Sequence, residues 1–158
     1  MTEMLRSQKL TVLPDAPDAL EEGRYVLDRQ VGFLMRVAMQ RHTAIFTSRM
    51  IEKLTQTQFA ALAKLYEVGP CSQNHLGRLI YLDAATIKGV VDRLAARRLL
   101  TVMNDANDRR RRAVALTDRG RQLIVAAMAV AAQITAETLE PLTADEQRLA
   151  VRLLKKLC

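Results

Sequence analysis

Four consecutive arginines, Arg109 to Arg112, follow the polar run Asn104-Asp105-Ala106-Asn107-Asp108 in this 158-residue chain. A guanidinium is always charged and offers a rigid fork of donors, so such a cluster suits phosphate or another polyanion. The cluster belongs to a wider block. From Leu76 to Arg121 there are eleven Lys/Arg against five Asp/Glu, whereas the other 112 residues carry thirteen against twelve. Nearly all of the net charge of +7 therefore sits in one segment. A localised basic block favours nucleic acid as the partner. The bland alternative is a solvated surface with arginine-rich helix ends.

Other reactive residue types are sparse. Two cysteines, Cys71 and Cys158, cannot build a disulfide framework, and a reduced, cytoplasmic protein is the expectation. Two histidines without a Cys/His cluster argue against a zinc site, and no cofactor is expected. The chain has no G-x-x-x-x-G-K-[ST], G-x-S-x-G, H-E-x-x-H or G-x-G-x-x-G, so we expect no enzyme. No apolar run approaches the roughly 18 residues of a membrane span, even in the alanine-rich stretch containing Ile124 to Ala132. The N-terminus MTEMLRSQKL lacks the apolar core of a secretory signal.

The elements that must position the basic block are mostly helical. Apolar residues recur at helical spacing from Arg24 to about Ile51, which predicts one helix of roughly 40 Å, too long to be packed only within a small monomer. Thr55-Gln56-Thr57-Gln58 is a capping box that opens a helix running to Gly69-Pro70. Ser72 caps a short helix with Leu76 and Leu79, and Asp83 caps another from Ala84 to about Arg98. The tight joint between them predicts a helix-turn-helix. Leu99 to Met103 and Arg112 to Leu116 read as a β-hairpin with an arginine-rich tip. Thr117 caps a helix from Asp118 to Leu139, and Thr143 to Glu146 opens a last one.

In a helix-turn-helix the N-terminal end of the second helix meets base edges in the major groove. That end is Ala84, Ala85, Thr86 and Lys88; alanines permit close approach and can touch thymine methyls, while Thr86 and Lys88 can bond bases or phosphates. Arg93, Arg97 and Arg98 lie at its far end, where positive charge also suits the helix dipole. Ser72, Gln73 and Asn74 open the preceding helix and offer a phosphate site. Adjacent strand residues alternate faces, so the four arginines cannot all point one way.

Three ordered blocks resemble the multiple-antibiotic-resistance regulator (MarR) family. Leu54-Thr55-Gln56-Thr57-Gln58-Phe59-Ala60-Ala61-Leu62 resembles its L-T-x-x-Q-x-x-x-L opening. Asp83 to Leu94 resembles its recognition helix, and Asp105-Ala106-Asn107-Asp108-Arg109-Arg110 through Leu116-Thr117-Asp118-Arg119-Gly120 resembles its wing signature D-x-R, strand, L-T-x-x-G. Two departures are the bulky turn Ile80-Tyr81-Leu82 and the arm before residue 23. The resemblance implies a mainly α fold of about six helices plus a β-hairpin wing. Residues 1–22 would be an arm, 23–53 a dimerisation helix, 54–117 the winged helix-turn-helix and 118–158 C-terminal dimerisation helices. It also implies that Asp108 orients Arg110 into the minor groove, with Arg109 and Arg111 on phosphates or solvent.

The resemblance further implies a homodimer on a palindromic double-stranded operator, released by a small, often aromatic, anion. Arg36, Met39, His42, Phe46, Arg49, Phe59 and Tyr66 are the candidates to hold such an anion: methionine and aromatics for the ring, Arg36, His42 or Arg49 for the carboxylate. Some relatives sense oxidation through a low-pKa thiolate, and Cys71, near a helix N-terminus, is the candidate. A non-specific nucleic-acid binder is the remaining alternative.

Overall fold

Caps set most of the boundaries of this computed structural model, which describes residues 20–21, 24–104 and 112–158. The expected arm over residues 1–22 and the hairpin tip with Asp108, Arg109, Arg110 and Arg111 lie almost wholly outside the described residues. The chain divides into two units, 1–41 and 42–158.

In the first unit, strands β1 (Leu20–Glu21) and β2 (Arg24–Tyr25) pair antiparallel. A 3₁₀ turn follows at Leu27–Arg29, and Gln30 is extended, with φ −84° and ψ 128°. The Gln30 side-chain amide donates to the Val26 carbonyl at 3.1 Å. Helix α1 therefore starts at Val31, not near Arg24, and runs to Arg49, about 28 Å rather than 40 Å. In this unit Val31, Leu34, Met35, Val37 and Met39 are all exposed.

The second unit takes in the end of α1, a 3₁₀ turn at Ile51–Lys53, and then α2 (Gln56–Val68). The Thr55 hydroxyl accepts from the Gln58 amide and the Gln58 side chain accepts from the Thr55 amide, as the capping box requires. Strand β3 (Cys71–Ser72), α3 (Gln73–Leu79) and α4 (Ala84–Ala96) follow. Strands β4 (Leu100–Asn104) and β5 (Arg112–Leu116) pair antiparallel with Leu100 opposite Leu116. β3 joins the other edge of β5, Cys71 opposite Val114, so the sheet order is β3-β5-β4. That third strand has only two residues and is held by a partner some forty residues away, so it leaves no local pattern in sequence.

Helices α5 (Asp118–Leu139) and α6 (Ala144–Leu157) complete the chain, each started by a threonine cap. By length and composition α5 could cross a membrane; counting unbroken apolar runs hides this. Its Ile124, Ala127 and Ile134 are instead buried in the common core with Leu62, Leu65, Ile87 and Leu94. α6 buries none of its residues, and Leu149, Leu153, Leu154 and Leu157 stand exposed along it.

Candidate DNA-binding surface and effector site

α3 and α4 cross closely because Gly77 has no side chain. A Cβ there would meet Ile87 Cγ2 and the Leu82 carbonyl oxygen, each at 3.1 Å. Ile87, Val90, Val91 and Leu94 are at most 1% exposed, which fixes one face of α4 to the domain. The opposite face is left to solvent: Ala84, Ala85, Thr86, Lys88 and Arg93 are exposed. The expected base-reading residues thus share one open surface, with Asn74 exposed and Ser72 and Gln73 half-buried at the start of α3.

Hydrogen bonds set what these groups can offer. Asp83 accepts the Thr86 amide at 2.8 Å and the Thr86 hydroxyl at 2.6 Å. These bonds hold the Asp83 carboxyl below the ordinary aspartate range. With its proton committed to Asp83, the Thr86 hydroxyl meets a ligand as an acceptor, suited to a base N–H. Lys88 Nζ lies 2.5 Å from Asp92 Oδ2, one turn on, in an exposed pair. The Arg93 guanidinium lies back along Gly89, where a Cβ would be 3.3 Å from Nη1. The Ser72 hydroxyl accepts the His75 amide at 3.2 Å, so it is a cap first.

Arg97 does not serve the open face. Its guanidinium donates to the Glu52 carbonyl at 2.9 Å and pairs with the Glu52 carboxylate at 3.2 Å. Arg98 adopts φ 58° just past the end of α4, where its amide reaches the Ala95 carbonyl. Tyr81, in the joint between α3 and α4, also has a left-handed φ of 57° and is 84% exposed.

The expected effector residues fall in both units. His42, Phe46 and Phe59 come together: ring centroids are 6.3 Å apart for His42–Phe46 and 6.1 Å for Phe46–Phe59. His42 Nδ1 lies 2.9 Å from the Thr138 hydroxyl, which itself donates to the Ile134 carbonyl at 2.8 Å. Thr138 has one proton to give, so His42 Nδ1–H is the donor in this pair. Arg49 pairs with Glu137 at 2.9 Å, which spends the charge expected for a carboxylate. Tyr66 lies about 10 Å further along α2 than Phe59, and Arg121 stands 5.8 Å over its ring. In the first unit Arg36 stands 5.1 Å over Phe33, and Met39 is exposed. The α5 partners Thr138 and Glu137 carry no sequence signal; only the packing of α5 in the second unit brings them to His42 and Arg49.

Burial pushes the Cys71 thiol up, opposite to the lowering expected from a nearby helix N-terminus. The side chain packs against the core.

Comparison with known proteins agrees with this fold. The family model described as MarR family matches residues 54–111. The HTH-type transcriptional repressor NicR of Pseudomonas putida is 40% identical over 150 residues, covering 94% of each chain. The structure of a probable transcriptional regulator from Pseudomonas aeruginosa is 47% identical, with a TM-score of 0.82 over 84% of this chain and 100% of that one. BpsR of Bordetella bronchiseptica, whose DNA binding is regulated by 6-hydroxynicotinic acid, is 42% identical, with a TM-score of 0.81 over 85% of this chain and 97% of its own. With a relative of this identity matched along nearly its whole length, and a winged helix-turn-helix built from the residues described, the chain belongs to the MarR family of transcriptional regulators.

Proposed function

We propose that the protein is a cytoplasmic homodimeric repressor that binds a palindromic operator and leaves it when a small aromatic or heteroaromatic carboxylate binds. The observation that carries the DNA reading is the exposed N-terminal face of α4, Ala84, Ala85, Thr86 and Lys88, backed by side chains at most 1% exposed. Two such helices on a two-fold axis would enter successive major grooves about one helical turn apart. Ser72, Gln73, Asn74 and Arg93 would hold phosphates. Arg110, oriented by Asp108, would enter the minor groove, flanked by Arg109 and Arg111.

Dimerisation is supported by two apolar faces that are exposed among the described residues. One is on α1, with Leu34, Met35 and Val37; the other is on α6, with Leu149, Leu153, Leu154 and Leu157. A helix whose leucines lie in water gains nothing from them, and burying each against a second copy would contribute roughly 1.5–3 kcal/mol before ordering costs. A single module of this size would also bury little DNA surface. The effector class is supported by the aromatic cluster around Phe46 and by BpsR, which responds to 6-hydroxynicotinic acid.

Selection from a random duplex library tests the reading. Enrichment of a palindrome with half-sites near one turn apart, and its release by millimolar 6-hydroxynicotinate, is the expected result. Equal retention of random duplex at every salt concentration would reject sequence-specific repression.

A further inference from the structure

α3 ends in a turn of the kind glycine usually makes. The Leu82 amide donates to the Gly77 carbonyl at 2.9 Å, and the Tyr81 amide donates to the Arg78 carbonyl at 3.3 Å. This paired closure needs a left-handed residue just past the C-cap Ile80, and Tyr81 stands there with φ 57°. Glycine adopts that conformation freely, whereas a larger L side chain strains it. Tyrosine at this position therefore weakens the turn it occupies.

The side chain gains nothing inside the chain in return. Ile80 and Leu82, on either side, pack against the core, and the ring between them is turned outward. At 84% it is the most exposed large hydrophobic side chain among the described residues. Among those residues neither its ring nor its hydroxyl has a hydrogen-bonding, aromatic or cationic partner.

The ring is placed beside the open N-terminal end of α4. Consecutive Cα atoms are about 3.8 Å apart, so Tyr81 starts no more than about 11 Å from Ala84. The major groove is about 12 Å wide and is walled by phosphates. With Ala84 and Ala85 at base edges, Tyr81 stands at the rim of the groove. A phenol hydroxyl can donate one hydrogen bond, and tyrosine is among the side chains that hold phosphate oxygens.

We propose that Tyr81 is a positioning contact for the operator: its hydroxyl donates to a phosphate oxygen at the edge of each half-site and sets how α4 lies in the groove. The inference rests on the DNA reading above and adds to it a neutral residue that charge and capping patterns do not single out. The same side chain that strains the free turn strengthens the complex. A neutral donor releases no counterion, so the contact acts on affinity and leaves the salt dependence alone.

Tyr81→Asn and Tyr81→Phe, in the full chain and on the selected operator, provide the test. Asparagine tolerates the left-handed conformation, so Tyr81→Asn should melt no lower than wild type while binding the operator at least tenfold more weakly. Tyr81→Phe keeps the ring; it should melt as wild type does and lose at least fivefold in affinity. Both should keep the wild-type salt slope. Ethylation of the operator phosphates should find, in each half-site, one phosphate whose modification weakens wild type but not Tyr81→Asn. Wild-type affinity in Tyr81→Phe would overturn the hydroxyl contact, and a lowered melting temperature in Tyr81→Asn would show that Tyr81 serves the fold instead. A wild-type protein that selects no operator would overturn the DNA reading itself, whereas selection by wild type with unchanged binding by both variants would overturn this inference alone.

Discussion

A Cβ placed on Gly120 would stand 2.0 Å from the carbonyl oxygen of Leu99. That oxygen also accepts the Thr117 amide at 3.1 Å, and the Thr117 hydroxyl donates to the Arg98 carbonyl at 2.7 Å while accepting the Gly120 amide at 3.0 Å. The L-T-x-x-G run thus has a structural cause: threonine caps α5 and glycine lets its first turn press on the chain entering β4. The three nearest atoms are all backbone of Leu99 rather than flexible side-chain ends, so Gly120→Ala forces backbone apart. Overpacking of this kind costs about 3 kcal/mol, and urea unfolding should reveal it; a loss under 1 kcal/mol would mean that the two segments part easily.

Lys88 and Asp92 form an exposed pair one helical turn apart, worth only about 0.3–0.5 kcal/mol to the fold. Their effect on DNA should be larger and opposite in sign. Lys88→Ala should leave the melting temperature almost unchanged, weaken operator binding, and reduce the salt slope by about one unit if the ammonium meets phosphate. Asp92→Ala frees that ammonium and should tighten binding. Identical salt slopes in wild type and Lys88→Ala would remove Lys88 from the phosphate contacts.

The sequence was most informative where chemistry is local. The Thr55, Asp83, Thr117 and Thr143 caps each involve a partner three residues away, and each start was readable from residue types alone. The start of α1 was not, because Val26 and Leu27 continue the apolar spacing although Gln30 turns the backbone out of helix. Tyr81 and Arg98 take left-handed conformations that sequence normally announces with glycine or asparagine. The charge census also overcounted cations open to DNA. Arg97 is engaged by Glu52, 45 residues away, a pairing that only the packed fold creates. Of the effector candidates, His42 meets Thr138, 96 residues away, a pairing that no local pattern announces.

Asp83 should make α4 acid-sensitive. Its carboxyl lies below the ordinary aspartate value of 3.8 because Thr86 donates to it from hydroxyl and amide. The fold therefore favours the ionised form, and the stabilisation is fully present above pH 3.8. It is lost as pH falls below that value and through the folded-state pKa. Asp83→Asn keeps an oxygen for the Thr86 amide but cannot ionise. The stability gap between wild type and Asp83→Asn, measured by urea unfolding, should be widest near pH 6 and narrow towards pH 3. A gap independent of pH would show that the charge of Asp83 contributes nothing.

Cys71 bears on how the repressor is controlled. Its pKa is raised by burial, it packs against the core, and its backbone pairs with Val114 in the sheet. Oxidation requires the thiolate and access to it, and a raised, half-buried thiol packed against the core supplies little of either. Cys158 is exposed at the end of the chain, far in sequence from α4. Iodoacetamide at neutral pH should label Cys158 first, and micromolar peroxide should leave operator binding intact. A Cys71→Ser, Cys158→Ser protein should respond to a carboxylate effector as wild type does. Peroxide-driven release that disappears in Cys71→Ser would instead establish thiol sensing, and the organic acid would no longer be the principal signal.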